Sequence, residues 1–197
     1  ALSRVAVYCG SRAGGLPEFG QAARNAGRVL ARRRITLVFG GGSVGLMGVL
    51  ADAALAAGGE AIGVIPNGLR SSELAHPGVT SLITVDSMHE RKQRMVDLAD
   101  AFVALPGGIG TMDELFETWT WLQLGIHSKP VGLLNVAGYY DPLLHFLHRM
   151  RDEHFLDTAH LETLLVDDDF GRLLDRLAVF QPPEGRKWAV QEAPLEP

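Results

Sequence analysis

An arginine and a lysine at 91–92, a carboxylate at 114 and glycine-rich turns are the groups in this sequence that could do chemistry, and the turns suit a phosphate. The clearest turn is Pro106-Gly107-Gly108-Ile109-Gly110, which follows the apolar run 101–105. From Thr111 a helical pattern begins, with Met112, Leu115, Phe116, Trp119 and Leu122 on one stripe. Strand, turn and helix together make an anion site. Bare backbone N–H groups and the positive end of the helix dipole converge there. Glu114 falls one turn into the helix, close to whatever the turn holds.

Two readings of Glu114 are open. Thr111-Met112-Asp113-Glu114 fits a capping box, T-x-x-E, which would make the carboxylate a helix-starting device. Position around the helix favours a second reading. Glu114, Glu117 and Trp121 fall opposite the apolar stripe, so that side is expected to be covered too, by a ligand cleft or a subunit contact. In the preceding helix, Met88-His89-Glu90-Arg91-Lys92, the stripe is Met88, Met95, Leu98 and Ala99. Arg91 and Lys92 lie at its edges. Either both snorkel to water, or both border a cleft and pair with an anion or carboxylate. Cys9 and the histidines read as ordinary structural residues. Gly40, Gly42 and Gly45 match G-x-G-x-x-G, but Glu60 precedes the next strand and Pro66 ends it, so the acid that a dinucleotide site needs is missing. Close backbone packing or a mononucleotide contact is expected of these glycines instead. No G-K-[ST] occurs, which excludes a Walker-type site.

The elements that must position these residues alternate regularly. Apolar runs at 5–9, 35–39, 61–65, 81–85, 101–105, 131–135 and 164–166 read as strands. Helical patterns lie at 19–33, 46–57, 88–99, 111–124 and 140–154, with a last helix capped by 167–169 and ending near 179. Alternation of this kind predicts an α/β fold, a doubly wound parallel sheet covered on both faces, in a single domain over 1–180. Residues 181–197 hold four prolines and read as an appended tail. Ligands of such sheets sit outside the carboxyl ends of the strands, where Gly10-Ser11, the 40–45 loop and the 106–111 turn all fall.

Composition bounds the partners. The chain has 197 residues, 47% hydrophobic, with a formal net charge of −5, which argues against a broad nucleic-acid footprint. One cysteine allows no internal disulfide, and no metal-ligand spacing occurs. No apolar run is long enough to span a bilayer, and the chain enters a strand without a signal-peptide layout. A cytoplasmic protein with no metal, cofactor, membrane or nucleic-acid partner is expected.

Pro106–Glu114 fits P-G-G-x-G-T-x-x-E, and Met88–Lys92 fits M-H-x-R-K. With GGGSVGLMG at 40–48 and QLGIHSKPVGLLN at 123–135, the chain resembles the Lonely Guy family of cytokinin riboside 5′-monophosphate phosphoribohydrolases, often labelled lysine decarboxylases. The resemblance covers residues 5–179. It implies a Rossmann-like fold, a homodimer or larger homo-oligomer, and cleavage of the N-glycosidic bond of an N6-modified AMP, giving free base and ribose 5-phosphate. By matching motif it implies that Arg91 and Glu114 are catalytic. Lys92, Gly108, Ile109, Gly110 and Thr111 would hold the nucleotide, and Glu73 and Thr120 would contact substrate. Ile109 stands where the family commonly has an aromatic, and Thr118-Trp119 replaces a more aliphatic pair. The residues suit this chemistry in their own right, because a carboxylate can stabilise an oxocarbenium-like transition state and position water. Two rivals remain open. One is a non-catalytic carrier of a phosphorylated ligand such as molybdenum cofactor. The other is a pyridoxal-phosphate decarboxylase using Lys92, Lys129 or Lys187.

Overall fold

All seven apolar runs become strands, and all pair in parallel. The computed structural model describes residues 1–69 and 75–183. In chain order the elements are β1 (Arg4–Tyr8), α1 (Pro17–Arg32), β2 (Thr36–Phe39), α2 (Gly45–Ala56), β3 (Ala61–Pro66), β4 (Ser81–Val85), α3 (Met88–Leu98), β5 (Ala101–Ala104), α4 (Ile109–Gln123), β6 (Val131–Leu134), α5 (Asp141–Asp152), α6 (Thr158–Leu161), β7 (Leu164–Asp167) and α7 (Phe170–Ala178). The sheet order is β4-β3-β2-β1-β5-β6-β7. The chain winds outward one way from β1 through β2 to β4, then returns to β5 on the other side of β1 and winds to β7. Loops after β1 and β5 therefore leave the sheet in opposite directions and open a crevice between them, the switch point of a doubly wound fold.

Alternation along each strand divides the core into two layers. Val5 and Val7 of β1 face α1, α2 and α7, packing with Leu30, Leu50 and Leu173. Ala6 and Tyr8 face α3, α4 and α5, packing with Met95, Leu115, Trp119 and Leu147. The result is a single α/β domain. The strands read as unbroken apolar runs because the central ones are covered on both faces.

Two helix starts follow from local chemistry. Ser87 caps α3, its hydroxyl accepting the Glu90 N–H at 3.1 Å, while the Glu90 carboxylate accepts the Asp86 N–H at 2.8 Å. Asp169 caps α7 by accepting the Arg172 N–H at 2.8 Å.

The start of α4 corrects an expectation. The helix begins at Ile109, two residues before Thr111, with extended Gly108 as its N-cap and no side-chain cap bond. Thr111 thus lies inside the first turn and is buried. The T-x-x-E capping box does not form, since its first member is already helical. Helix α6 has four residues, too few to show a period in the sequence. Of the tail, residues 184–197 lie outside the described residues. Among the described residues no helix is long and apolar enough to cross a membrane.

Candidate active site

Three loops meet at the carboxyl ends of β1, β2 and β5. The Gly10 N–H donates to the Pro106 carbonyl at 3.1 Å, and the Gly10 carbonyl accepts the Leu46 N–H at 3.0 Å. Backbones approach so closely that side chains do not fit between them. At Gly45, with φ +59°, a Cβ would overlap the backbone of Ser11 and Arg12; at Gly107 it would overlap the Thr111 side chain. This is the close packing expected of Gly45 in the G-x-G-x-x-G stretch. The loops enclose a cavity of about 680 Å³, within the usual size of a small-molecule site.

Arg91, Glu114 and the whole 106–111 turn share the wall of this cavity. Arg91 comes from the first turn of α3 and is only 4% exposed. Its Nε donates to the Val64 carbonyl at 3.0 Å and its Nη2 to the Gly40 carbonyl at 2.9 Å. These bonds fix the guanidinium in the cavity wall. Of the two readings left by the helix stripe, the cleft prevails for Arg91 over the snorkelling one.

Glu114 reaches the cavity from the second turn of α4. Its charge acts on the end of β1. Burial pushes the Cys9 thiol and the Tyr8 phenol well above their ordinary pKa values, and the Glu114 carboxylate pushes both further. A hydrogen bond of 2.8 Å between the Tyr8 and Thr118 hydroxyls partly opposes the shift at Tyr8. Both groups therefore stay protonated beside Glu114, and Cys9 is a buried neutral thiol rather than a nucleophile.

Gly108, Ile109, Gly110 and Thr111 form the turn and first helical turn at the cavity. The first helix bond is Met112 N–H to Gly108 carbonyl at 3.1 Å, so the N–H groups of Ile109, Gly110 and Thr111 have no acceptor within the helix. A Cβ at Gly108 or Gly110 would meet nothing within 4 Å, which leaves the backbone open to a ligand. The Ile109 side chain is 89% exposed.

Three described residues singled out from the sequence, Lys92, Thr120 and Lys129, do not line this cavity. Lys92 is clamped between Asp113 at 3.1 Å and Glu117 at 2.9 Å, tying α3 to α4. Burial alone would lower its ammonium pKa, but the two carboxylates outweigh burial and raise it. Glu117 is thus engaged by Lys92, and Trp121 packs against the α4 side of the core, so this side of α4 is covered from within the chain. Thr120 is exposed and lies off the cavity wall. Glu73 lies outside the described residues. Lys129 donates to the Val96 carbonyl at 2.6 Å, away from the cavity, and Lys187 lies outside the described residues. The wall also holds Arg12, Phe19, Met47 and Tyr139, to which no site role was assigned from the sequence. Gly10-Ser11 marked the loop that carries Arg12, but no period or motif pointed to Tyr139.

A parallel sheet with a glycine turn at a helix start, a buried arginine and a carboxylate at its switch point defines the class, a doubly wound α/β protein with a cavity at the carboxyl ends of its strands. The family model described as "Possible lysine decarboxylase" matches residues 47–177. A cytokinin riboside 5′-monophosphate phosphoribohydrolase of Arabidopsis thaliana is 45% identical over 92% of this chain and 83% of its own. One of Rhodococcoides fascians is 47% identical over 84% of each chain. A protein of Oryza sativa subsp. japonica, described as a probable enzyme of that name, is 53% identical over 79% of this chain and 70% of its own. The chain belongs to the cytokinin riboside 5′-monophosphate phosphoribohydrolase family, the Lonely Guy family of the motifs above. Among solved structures, the molybdenum cofactor binding protein of Rippkaea orientalis superposes with a TM-score of 0.68 at 20% identity, over 90% of this chain and 96% of that one. The molybdenum cofactor carrier protein of Chlamydomonas reinhardtii gives the same TM-score and identity over 91% and 100%. At such identity the likeness is one of fold.

Proposed function

We propose that this chain hydrolyses the N-glycosidic bond of an N6-modified adenosine 5′-monophosphate, a cytokinin riboside monophosphate, or of AMP itself. One observation carries the reading: Arg91, Glu114 and the N-terminus of α4 share one cavity wall. The 5′-phosphate takes the N–H groups at 108–111, and that remote binding energy holds the ribose over the carboxylate. As the bond between C1′ and the base nitrogen breaks, the base leaves with the electron pair and is protonated. Positive charge develops on the ribose, where the Glu114 carboxylate offsets it and orients the attacking water. Water supplies hydroxyl to C1′ and gives up the proton that the leaving base takes, so the products are ribose 5-phosphate and free base. Arg91 orients the sugar and the carboxylate from the cavity wall.

The reading assigns the hydrolase domain to residues 1–180, with 181–197 appended. Glu73 and Thr120 are assigned substrate contacts by matching motif, Thr120 across a subunit contact since it is exposed and off the cavity wall. Lys92 supports nucleotide binding through Asp113 and Glu117, which flank Glu114 on α4. A homodimer or larger homo-oligomer in the cytoplasm fits the family. The exposure of Ile109, Phe146 and Phe155 supports assembly. The decarboxylase reading lacks a lysine at the cavity among the described residues.

The test is incubation of the purified protein with AMP and with N6-isopentenyl-AMP. The reading expects free base and ribose 5-phosphate from at least one of them. Tight retention of either nucleotide without any release of base would favour the carrier instead.

A further inference from the structure

Three consecutive carbonyls of the anion turn are each tied from outside the turn. The Tyr140 hydroxyl donates to the Leu105 carbonyl at 2.6 Å. The Gly10 N–H donates to the Pro106 carbonyl at 3.1 Å. The Tyr139 hydroxyl donates to the Gly107 carbonyl at 2.5 Å. A peptide group whose oxygen is held on one side shows its N–H, where it has one, on the other. The Leu105–Pro106 peptide has none, so its bond fixes the entry of the turn, while the held oxygens of Pro106 and Gly107 set the directions of the Gly107 and Gly108 N–H groups. A free turn could rotate a carbonyl inward, where its partial negative charge would repel an anion.

The two tyrosines are delivered by unusual backbone. Ala137 (φ +50°) and Gly138 (φ +70°) are both left-handed, and they turn the chain sharply between β6 and α5. The turn is closed by the Tyr139 N–H on the Val136 carbonyl at 2.9 Å, and by the Tyr140 N–H on the Asn135 side-chain oxygen at 2.9 Å. Asn135 is held in turn by Asp141 at 2.7 Å. A left-handed alanine persists only where its surroundings hold it, and such residues gather at functional sites. Tyr140 is buried, so its hydroxyl serves the fold as well as the turn. Tyr139 is different. It is 43% exposed, lies on the cavity wall, and rests edge-on against Phe19 with ring centres 5.5 Å apart. Its ring packs without the hydroxyl, and the hydroxyl's partner is the turn carbonyl.

We propose that Tyr139 is a positioning residue for phosphate recognition: its hydroxyl locks the Gly107–Gly108 peptide so that the Gly108 N–H joins those of the α4 start in facing the 5′-phosphate. The inference rests on the hydrolase reading for the identity of the anion. It acts through the turn, so it appears in affinity for the phosphorylated sugar rather than in the bond-breaking step.

The experiment compares the full chain with Tyr139→Phe, which keeps the ring against Phe19. Binding of ribose 5-phosphate is measured by calorimetry, thermal unfolding is recorded without ligand, and kcat and KM are determined on the monophosphate. The expected result is ribose 5-phosphate affinity weakened about three- to tenfold, as for one lost hydrogen bond, with a matching rise in KM. The unfolding temperature and kcat stay near those of the parent. Equal affinity in variant and parent overturns the positioning role and leaves the hydrolase reading standing. A variant that melts earlier yet binds as tightly as the parent does the same, because the bond is then structural. A parent that does not bind ribose 5-phosphate at all overturns both.

Discussion

The Arg91 guanidinium fills the space that a side chain at Gly40 would need. A Cβ at Gly40 would overlap Nη2, the atom that donates to the Gly40 carbonyl at 2.9 Å. The first residue of the 40–45 loop and the buried cation of α3 are thus fitted to each other. Gly40→Ala is expected to displace the guanidinium, at an overpacking cost of about 1–3 kcal/mol. Turnover should fall in parallel with Arg91→Ala. Base release and thermal unfolding measured on both variants check this. A Gly40→Ala protein with parental turnover would show that the position of Arg91 does not matter.

Glu114 takes no part in a capping box, because Gly108 already starts the helix. Glu114→Gln should therefore unfold at nearly the parental temperature. Its rate should fall on the order of a hundredfold or more, as charge stabilisation is lost in the transition state. Near-parental release of base from the folded variant would remove Glu114 from the chemistry.

How much of this could be read from the sequence depended on whether a local pattern carried it. The central strands were legible because they are apolar on both faces, and Arg91 was legible as a candidate because a cation at the edge of a core stripe must either snorkel or find a partner. The start of α4 was misjudged, since T-x-x-E is a local signal while the close contacts of Gly107 with Thr111 and Gly10 are tertiary. The partners of Lys92 depend on the contact between α3 and α4, which no single helix wheel reveals. Tyr139 was invisible for the same reason. It belongs to no period, and its carbonyl partner lies 32 residues away.

Lys92 joins two carboxylates that flank Glu114 along α4. Lys92→Met leaves Asp113 and Glu117 facing each other without a cation. The expected outcome is a lower unfolding temperature and a raised KM, with both effects larger at low salt than at high salt. Assays at two ionic strengths check it, and a variant with parental KM and stability would leave the clamp without consequence.

His127 gives the fold an acid limb. Its Nδ1 accepts the Lys129 N–H at 3.1 Å, so its Nε2–H donates to the Thr118 carbonyl at 2.9 Å and the ring is neutral. Burial lowers its pKa below the ordinary 6.5; the Thr118 carbonyl opposes this, and the Lys129 charge lowers it further. Below pH 6.5 the unfolded ring takes up a proton that the folded ring refuses. The contribution of His127 is therefore complete above that pH and declines as pH falls through the folded pKa. Melting temperatures recorded from about pH 7.5 to about pH 5 should fall more steeply for the parent than for His127→Gln. Identical slopes would contradict the assignment.

The central claim is that the turn at 108–111 anchors a 5′-phosphate so that Glu114 can act on the glycosidic bond. The most direct measurement compares kcat/KM for N6-isopentenyl-AMP with that for the same nucleoside lacking its phosphate. The account predicts that the monophosphate is cleaved at least about a hundredfold more efficiently, because anchoring energy is spent at the reacting carbon. Equal efficiency on the two substrates would contradict it.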